Sequence, residues 1–248
     1  MNTPRGNMPH AHDSSSREAG ADEITRGRRA LCEIGKLCYS RNLIVGADGN
    51  LSMRLSDDTI LITPAGAMKG FLEPHHITRV DMAGRVLDNG PRASTETGIH
   101  TTAYEVRPDI RAVVHAHPPH AVALTLADID LQMPIIPEVV VTIGGIPTAP
   151  YATPGTHELG DSIRDLLRCS DTVMMRSHGS ITVGDNLMDA FKKLDMLEHT
   201  ARILYLTHTL RGGLDPLPPE AVEKLLHTRK ILGVTGMNTL VNRCGLDG

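Results

Sequence analysis

Arg111-Ala112-Val113-Val114-His115-Ala116-His117-Pro118-Pro119 is the stretch from which the architecture can be read. Residues 111–116 have the composition of a buried strand. Pro118-Pro119 cannot donate to a strand ladder and instead open a helix that carries Ala121, Val122, Leu124 and Leu126. Alternate side chains of a strand share a face, so His115 and His117 leave the strand's end in the same direction, close enough for one ion to bridge them. Alone, such a pair caps backbone carbonyls as readily as it holds a metal.

Upstream, Ile24, Leu31, Ile34, Leu37 and Cys38 recur at helical spacing between residues 22 and 42, and the run ends in the turn-rich Gly46-Ala47-Asp48-Gly49-Asn50. Short strands follow over 51–55 and 59–62, with Ser56-Asp57-Asp58 between them, and lead into Thr63-Pro64-Ala65-Gly66. A further hairpin is expected around Asn89-Gly90. A helix then runs from Ser94 to Val106 with Glu96 in its first turn, stopped by Arg107-Pro108. Downstream, strands are expected over 139–143 and 148–151 around Gly144-Gly145, then a helix over 156–168, a strand over 172–176 and a long helix over 187–210. Interleaved strands, helices and hairpins predict an α/β fold of three αβα layers around a largely antiparallel or mixed sheet. Residues 1–21 read as a disordered N-terminal arm, poor in apolar surface and carrying incidental His10 and His12, and residues 22–248 as one catalytic domain.

The 248 residues include no Trp, two Phe and four Tyr, so the core must be aliphatic and no aromatic platform for stacking bases exists. A net charge of -4 without a basic block argues against nucleic acid or an anionic membrane and for a small solute. Cys32, Cys38, Cys169 and Cys244 form no C-x-x-C pair and read as reduced packing residues. No segment reaches membrane-spanning length and residues 1–21 lack the apolar core of a signal peptide, so a cytoplasmic enzyme is expected.

Ser177-His178-Gly179, after the predicted strand 172–176, offers a third imidazole beside a glycine that lets the chain turn. Three neutral nitrogens plus a carboxylate or water suit Zn2+, with Mn2+ or Co2+ as other occupants, and leave a position for a substrate oxygen. Glu96 is either that carboxylate or a first-turn acid favoured by the helix dipole. Gly49-Asn50-Leu51-Ser52, Thr63-Pro64-Ala65-Gly66 and Ser94-Thr95 together supply the amides and hydroxyls that hold a phosphate without a lysine.

Taken in order, these three motifs with Glu96, Arg107-Pro108-Asp109, His115 to Pro118, Ala149-Pro150-Tyr151-Ala152-Thr153-Pro154-Gly155 and Ser177-His178-Gly179 resemble the class II aldolase and adducin family over residues 24–211. The resemblance implies Zn2+ on His115, His117 and His178. Glu96 would be a further ligand and the proton-handling base, and Asn50, Gly66, Ser94 and Thr95 would sit at the substrate phosphate. It also implies a homotetramer with sites between subunits. The implied reaction is aldol cleavage of a small ketose 1-phosphate, of the fuculose or 5-deoxypentulose type, to dihydroxyacetone phosphate and an aldehyde. Decarboxylases, epimerases and a dehydratase share the scaffold, as does the non-enzymatic adducin head, against which the intact histidine and Glu96 set argues. Two departures stand out. Ala65 replaces a phosphate-contacting hydroxyl, with Lys69 nearby as a substitute. The two tyrosines that fuculose-phosphate aldolases bring from a neighbouring subunit are missing, which leaves Glu138 or water as the distal proton donor.

Overall fold

The computed structural model describes residues 12–242. Residues 1–11 of the expected arm, with His10, and Cys244 lie outside the described residues. The elements in chain order are α1 (His12–Ser40), β1 (Asn50–Arg54), β2 (Ile60–Ile62), β3 (Thr78–Val80), α2 (Thr97–Val106), β4 (Ala112–Ala116), α3 (Pro119–Leu126), α4 (Pro137–Val141), β5 (Thr148–Ala149), α5 (His157–Leu167), β6 (Thr172–Met175), β7 (Gly179–Gly184), α6 (Leu187–Arg211) and α7 (Pro219–Ile231). The strands form one sheet in the order β3-β2-β1-β4-β7-β6-β5. Every pairing is antiparallel except the parallel pair at the β5 edge.

The chain adopts the mixed α/β, three-layer arrangement that its pattern predicts, and β4 shows why. All five of its residues are buried, as a central strand covered on both faces requires. Ala112, Val114 and Ala116 enter one apolar cluster with residues of α1, α3 and α6, while Val113 enters the other with residues of α2 and α5. His115 alternates with Val114 and so lies on the α2 side.

The structure corrects the sequence reading in several places. Helical backbone begins at His12, inside the stretch expected to be disordered. Once later turns are anchored, adding turns at a helix end has little nucleation cost. Residues 139–143 are not a strand: the β-branched Val139-Val140-Val141 lies in α4, which opens on Pro137. Its last carbonyls are held by buried Arg229 of α7, which donates to Val141 O at 2.7 Å and Thr142 O at 2.5 Å. Tertiary partners here override strand propensity. The reversal after β3 occurs at Asp81, whose Oδ1 accepts from the amides of Ala83 and Arg85, both at 2.9 Å. Asn89-Gly90 instead belongs to a turn in which Asp88 Oδ1 accepts from Gly90 N. Nor are all four cysteines reduced: Cys169 is disulfide-bonded, because spacing along a chain does not measure distance in the fold. Cys32 and Cys38 are free and buried.

Two elements give little sequence signal. β7 reads Gly-Ser-Ile-Thr-Val-Gly and is buried throughout, its Thr182 hydroxyl satisfied by Ala190 O at 2.9 Å. In α7 only Arg229 is buried, so no apolar stripe announces it.

Candidate active site

β1, β4 and the start of β7 are neighbours in the sheet, and their ends deliver the groups that the sequence suggests. His115 pairs across the sheet with Asn50 of β1 on one side and Ile181 of β7 on the other. His117 follows the end of β4, and His178 precedes β7. The ligand nitrogens of the three histidines all lie within 4.8 Å of one another. Their rings stand edge to face, with centroids 4.8 to 5.0 Å apart.

Glu96 joins them from the α2 side. It is the N-cap residue of α2, yet its side chain makes no capping bond to the helix, so the dipole-stabilising role does not account for where it points. One carboxylate oxygen, Oε2, lies 3.2 Å from His115 Nε2, and the other, Oε1, lies 3.2 Å from His178 Nε2. Burial pushes the Glu96 carboxyl up, but His115, His178 and a hydrogen bond from Asn50 hold it well below the usual range. Ser94 organises the turn instead: its Oγ accepts from Glu96 N at 3.2 Å and its carbonyl accepts from the Thr97 hydroxyl at 2.6 Å.

The protonation pattern tests whether a cation fits. His115 Nδ1 is 2.9 Å from Ser180 O. A carbonyl only accepts, so Nδ1 carries the proton and Nε2 presents its lone pair to the centre. His117 Nε2 lies 3.1 Å from that same atom, while His117 Nδ1 faces Asp48 Oδ2 at 3.7 Å. Burial lowers the His117 pKa to about 4, with repulsion from His115 and His178 adding to it. The His115 Nε2 lone pair, a nitrogen of each of the other two imidazoles and the Glu96 carboxylate therefore converge on one point. That is an arrangement of acceptors which a divalent ion satisfies and water-accessible protein donors do not. His178 Nδ1 is buried without a hydrogen-bond partner, so this ring's polar contact is the one its Nε2 makes toward Glu96.

Glu96, His117 and His178 border a cavity of about 340 Å3 whose lining also includes Asn50, Ala65, Gly66, Lys69, Ser94 and Thr95, with His115 fully buried just behind it. Gly66 has φ +69°, a backbone state that glycine adopts without strain. Lys69 is 2% exposed and its Nζ donates to Ala47 O at 2.6 Å. Burial lowers its pKa to about 8 against the pull of Asp48 and Glu96. All four residues expected at a phosphate thus share the cavity with Glu96, His117 and His178. Glu138 does not: it is exposed on α4 and is absent from the lining.

Sequence reading missed a line of buried polar groups behind Glu96. Asn50 Nδ2 donates to Glu96 Oε2 at 2.8 Å, and Asn50 Oδ1 lies 2.5 Å from His100 Nε2. The Ser52 hydroxyl lies 2.6 Å from His100 Nδ1 and 2.8 Å from the Tyr104 hydroxyl. Burial lowers the His100 pKa to about 3 and raises that of Tyr104. The available signal was periodic: Asn50 and Ser52 share one face of a strand, while Glu96, His100 and Tyr104 recur every four residues along α2.

The sequence pattern described as Class II Aldolase and Adducin N-terminal domain matches residues 29–205. A 3-oxo-tetronate 4-phosphate decarboxylase of Pectobacterium atrosepticum is 31% identical over 193 residues, 76% of this chain and 88% of that protein. An L-fuculose phosphate aldolase of Methanococcus vannielii is 32% identical over 180 residues, 71% of this chain and 96% of that one. Among solved structures, L-fuculose-1-phosphate aldolase from Thermus thermophilus superposes with a TM-score of 0.68 at 28% identity, covering 79% of this chain and all of that one. The chain belongs to the class II aldolase and adducin family.

Proposed function

We propose that the chain is a metal-dependent carbon–carbon lyase that cleaves a small ketose 1-phosphate, of the fuculose or 5-deoxypentulose type, to dihydroxyacetone phosphate and an aldehyde. The observation that carries this reading is the three-imidazole cluster with Glu96, two of whose rings and whose carboxylate open on one cavity with Asn50, Gly66, Ser94 and Thr95. His115, His117 and His178 would hold the ion, Zn2+ by the chemistry of the donors, with Mn2+ or Co2+ as other occupants. The bound ion supplies Lewis-acid stabilisation of the negative charge that develops on substrate oxygen as the bond breaks. Glu96, kept ionised by its neighbours, takes up and returns the proton. Asn50, the Gly66 backbone and the Ser94 and Thr95 hydroxyls orient the phosphate, and buried Lys69 replaces the hydroxyl that Ala65 lacks.

A second reading, decarboxylation of a phosphorylated 3-oxo sugar acid, is favoured by a specific observation. Among the described residues no tyrosine lines the cavity, and its carboxyls are Asp48 and Glu96 alone. Loss of carbon dioxide needs one proton donor at the carbanion, whereas an aldol reaction also needs a group that exchanges a proton with the aldehyde oxygen. In the first reading Glu138 reaches that oxygen from a neighbouring copy of a homotetramer. The deciding assay incubates Zn2+-loaded protein with ketose 1-phosphates and with phosphorylated 3-oxo acids and measures dihydroxyacetone phosphate and carbon dioxide separately. The first product is expected from ketose 1-phosphates. Carbon dioxide without any dihydroxyacetone phosphate establishes the second reading, and neither product sinks both.

A further inference from the structure

Asn50, His100, Ser52 and Tyr104 form a hydrogen-bonded line ending on Glu96, and the ionised carboxylate at that end fixes the direction of each bond leading away from it. An ionised carboxylate only accepts, so the Asn50 amide must turn its nitrogen to Glu96 Oε2 and its oxygen to His100. An amide oxygen only accepts, so His100 Nε2 carries the proton. A neutral imidazole protonated there has a lone pair at Nδ1, so Ser52 must donate to it. The Ser52 oxygen then accepts from Tyr104. All four groups behind Glu96 are 2% exposed or less, which makes a reversed bond costly.

From this single direction we propose that His100, backed by Ser52 and Tyr104, is a positioning residue that locks the Asn50 amide, and through it the Glu96 carboxylate, toward the histidine triad. The inference rests on the reading of Glu96 as the group that faces the ion. A buried histidine with two hydrogen bonds is an ordinary core feature. This one differs because its Nε2 proton decides which end of Asn50 meets Glu96. A flipped amide would set its oxygen against the carboxylate and its nitrogen against a donor. It would also withdraw from the cavity the second N–H of the nitrogen that Asn50 presents beside Gly66, Ser94 and Thr95. One buried imidazole thus sets both the acid that faces the ion and an amide donor of the phosphate pocket. Strand period two interleaves with helix period four, so Asn50 and Ser52 of β1 alternate with Glu96, His100 and Tyr104 along α2.

The test begins on the metal-free wild-type protein labelled with 15N at histidine. Nitrogen shifts at pH 7 should show His100 neutral and protonated at Nε2, and an Nδ1-protonated ring overturns the proposal. Co2+ affinity and inorganic-phosphate affinity are then measured for His100→Leu and His100→Gln. The leucine variant should lose about tenfold or more in Co2+ affinity, the scale for residues that orient metal ligands, and several-fold in phosphate affinity. Glutamine can donate to Asn50 and accept from Ser52, and should recover most of both. Wild-type affinities in His100→Leu overturn the proposal. If that variant fails to fold, Ser52→Ala serves in its place. It should let the Nδ1-protonated form appear and weaken Co2+ a few-fold, and an unchanged tautomer and affinity count against the proposal. Neither readout uses turnover, so the proposal stands or falls apart from the lyase reading.

Discussion

Glu96 and Lys69 show how a single residue's environment decides its work. Removing one nitrogen from the triad is expected to empty the site. His115→Ala, His117→Ala and His178→Ala should each bind less than about a tenth of the wild-type metal by elemental analysis, and full occupancy in any of them removes that residue from the site. Glu96→Gln keeps shape and one acceptor oxygen, so it should retain the fold and most of the metal while turnover falls about a hundredfold or more. Near-normal kcat would restrict Glu96 to a structural part. Lys69 permits a prediction with a definite sign. Its pKa falls on folding, to about 8, so the unfolded chain binds the proton more tightly. The resulting destabilisation is fully present below pH 8 and is relieved as pH rises toward the ordinary lysine value. Lys69→Met should therefore raise the Tm at pH 7, with the gain shrinking above pH 8, while inorganic phosphate binds several-fold more weakly. A lower Tm at pH 7 contradicts the argument. At this scale the sequence was informative wherever chemistry follows residue type, as at the three histidines, Glu96, Asn50 and Ser94. It was silent about His100 and Tyr104, because a histidine inside a helix has an ordinary packing explanation until its partners across the sheet are known, and it grouped Ser52 with the phosphate motif although that hydroxyl is buried against His100 and Tyr104.

Gly179 shows what an element demands of a residue. The sequence suggests that it eases the turn after His178, but the left-handed backbone lies at Ser177, with φ +59°. Gly179 is instead required for space. A Cβ there would stand 2.4 Å from Ala116 O, 2.6 Å from His117 Cδ2 and 3.2 Å from His115 Cε1. Gly179→Ala is therefore expected to push β7 away from β4 and disperse the triad. Metal affinity should fall about tenfold or more although no ligand has changed, and a variant that binds metal as tightly as wild type refutes this. Element types were legible where burial is one-sided or the strand wholly apolar, as in α2, β4 and α6. They were illegible where a polar pattern is satisfied internally, as in the Ser180 and Thr182 positions of β7, or where an arginine rather than an apolar stripe docks a helix, as Arg229 does for α7. The strand expected over 139–143 failed for the same reason: Arg229 rewards a helix C-terminus that local propensity disfavours.

Across the whole molecule, exposed apolar side chains such as Phe71, Tyr151, Leu210, Ile231 and Leu232 fit a chain that buries further surface against its own copies. Light scattering on the purified protein should give a mass near four times 26.8 kDa, and a monomer would remove the neighbouring subunit on which Glu138's role depends. The pairing of β4 with β7 has a consequence of its own. His115 lies within that pairing and His178 directly precedes it, and the register joining Ala112 to Gly184 and Ala116 to Ser180 closes a long loop that contains α3, α4, β5, α5 and β6. Such a distant contact forms late, because loop-closure entropy is lost before the contact can stabilise anything. The three histidines that would hold an ion therefore come together only when the sheet zips shut at its centre. Added metal should leave the refolding rate untouched and slow unfolding. Under excess ion the native state becomes a kinetic trap, released at the speed with which β7 peels from β4.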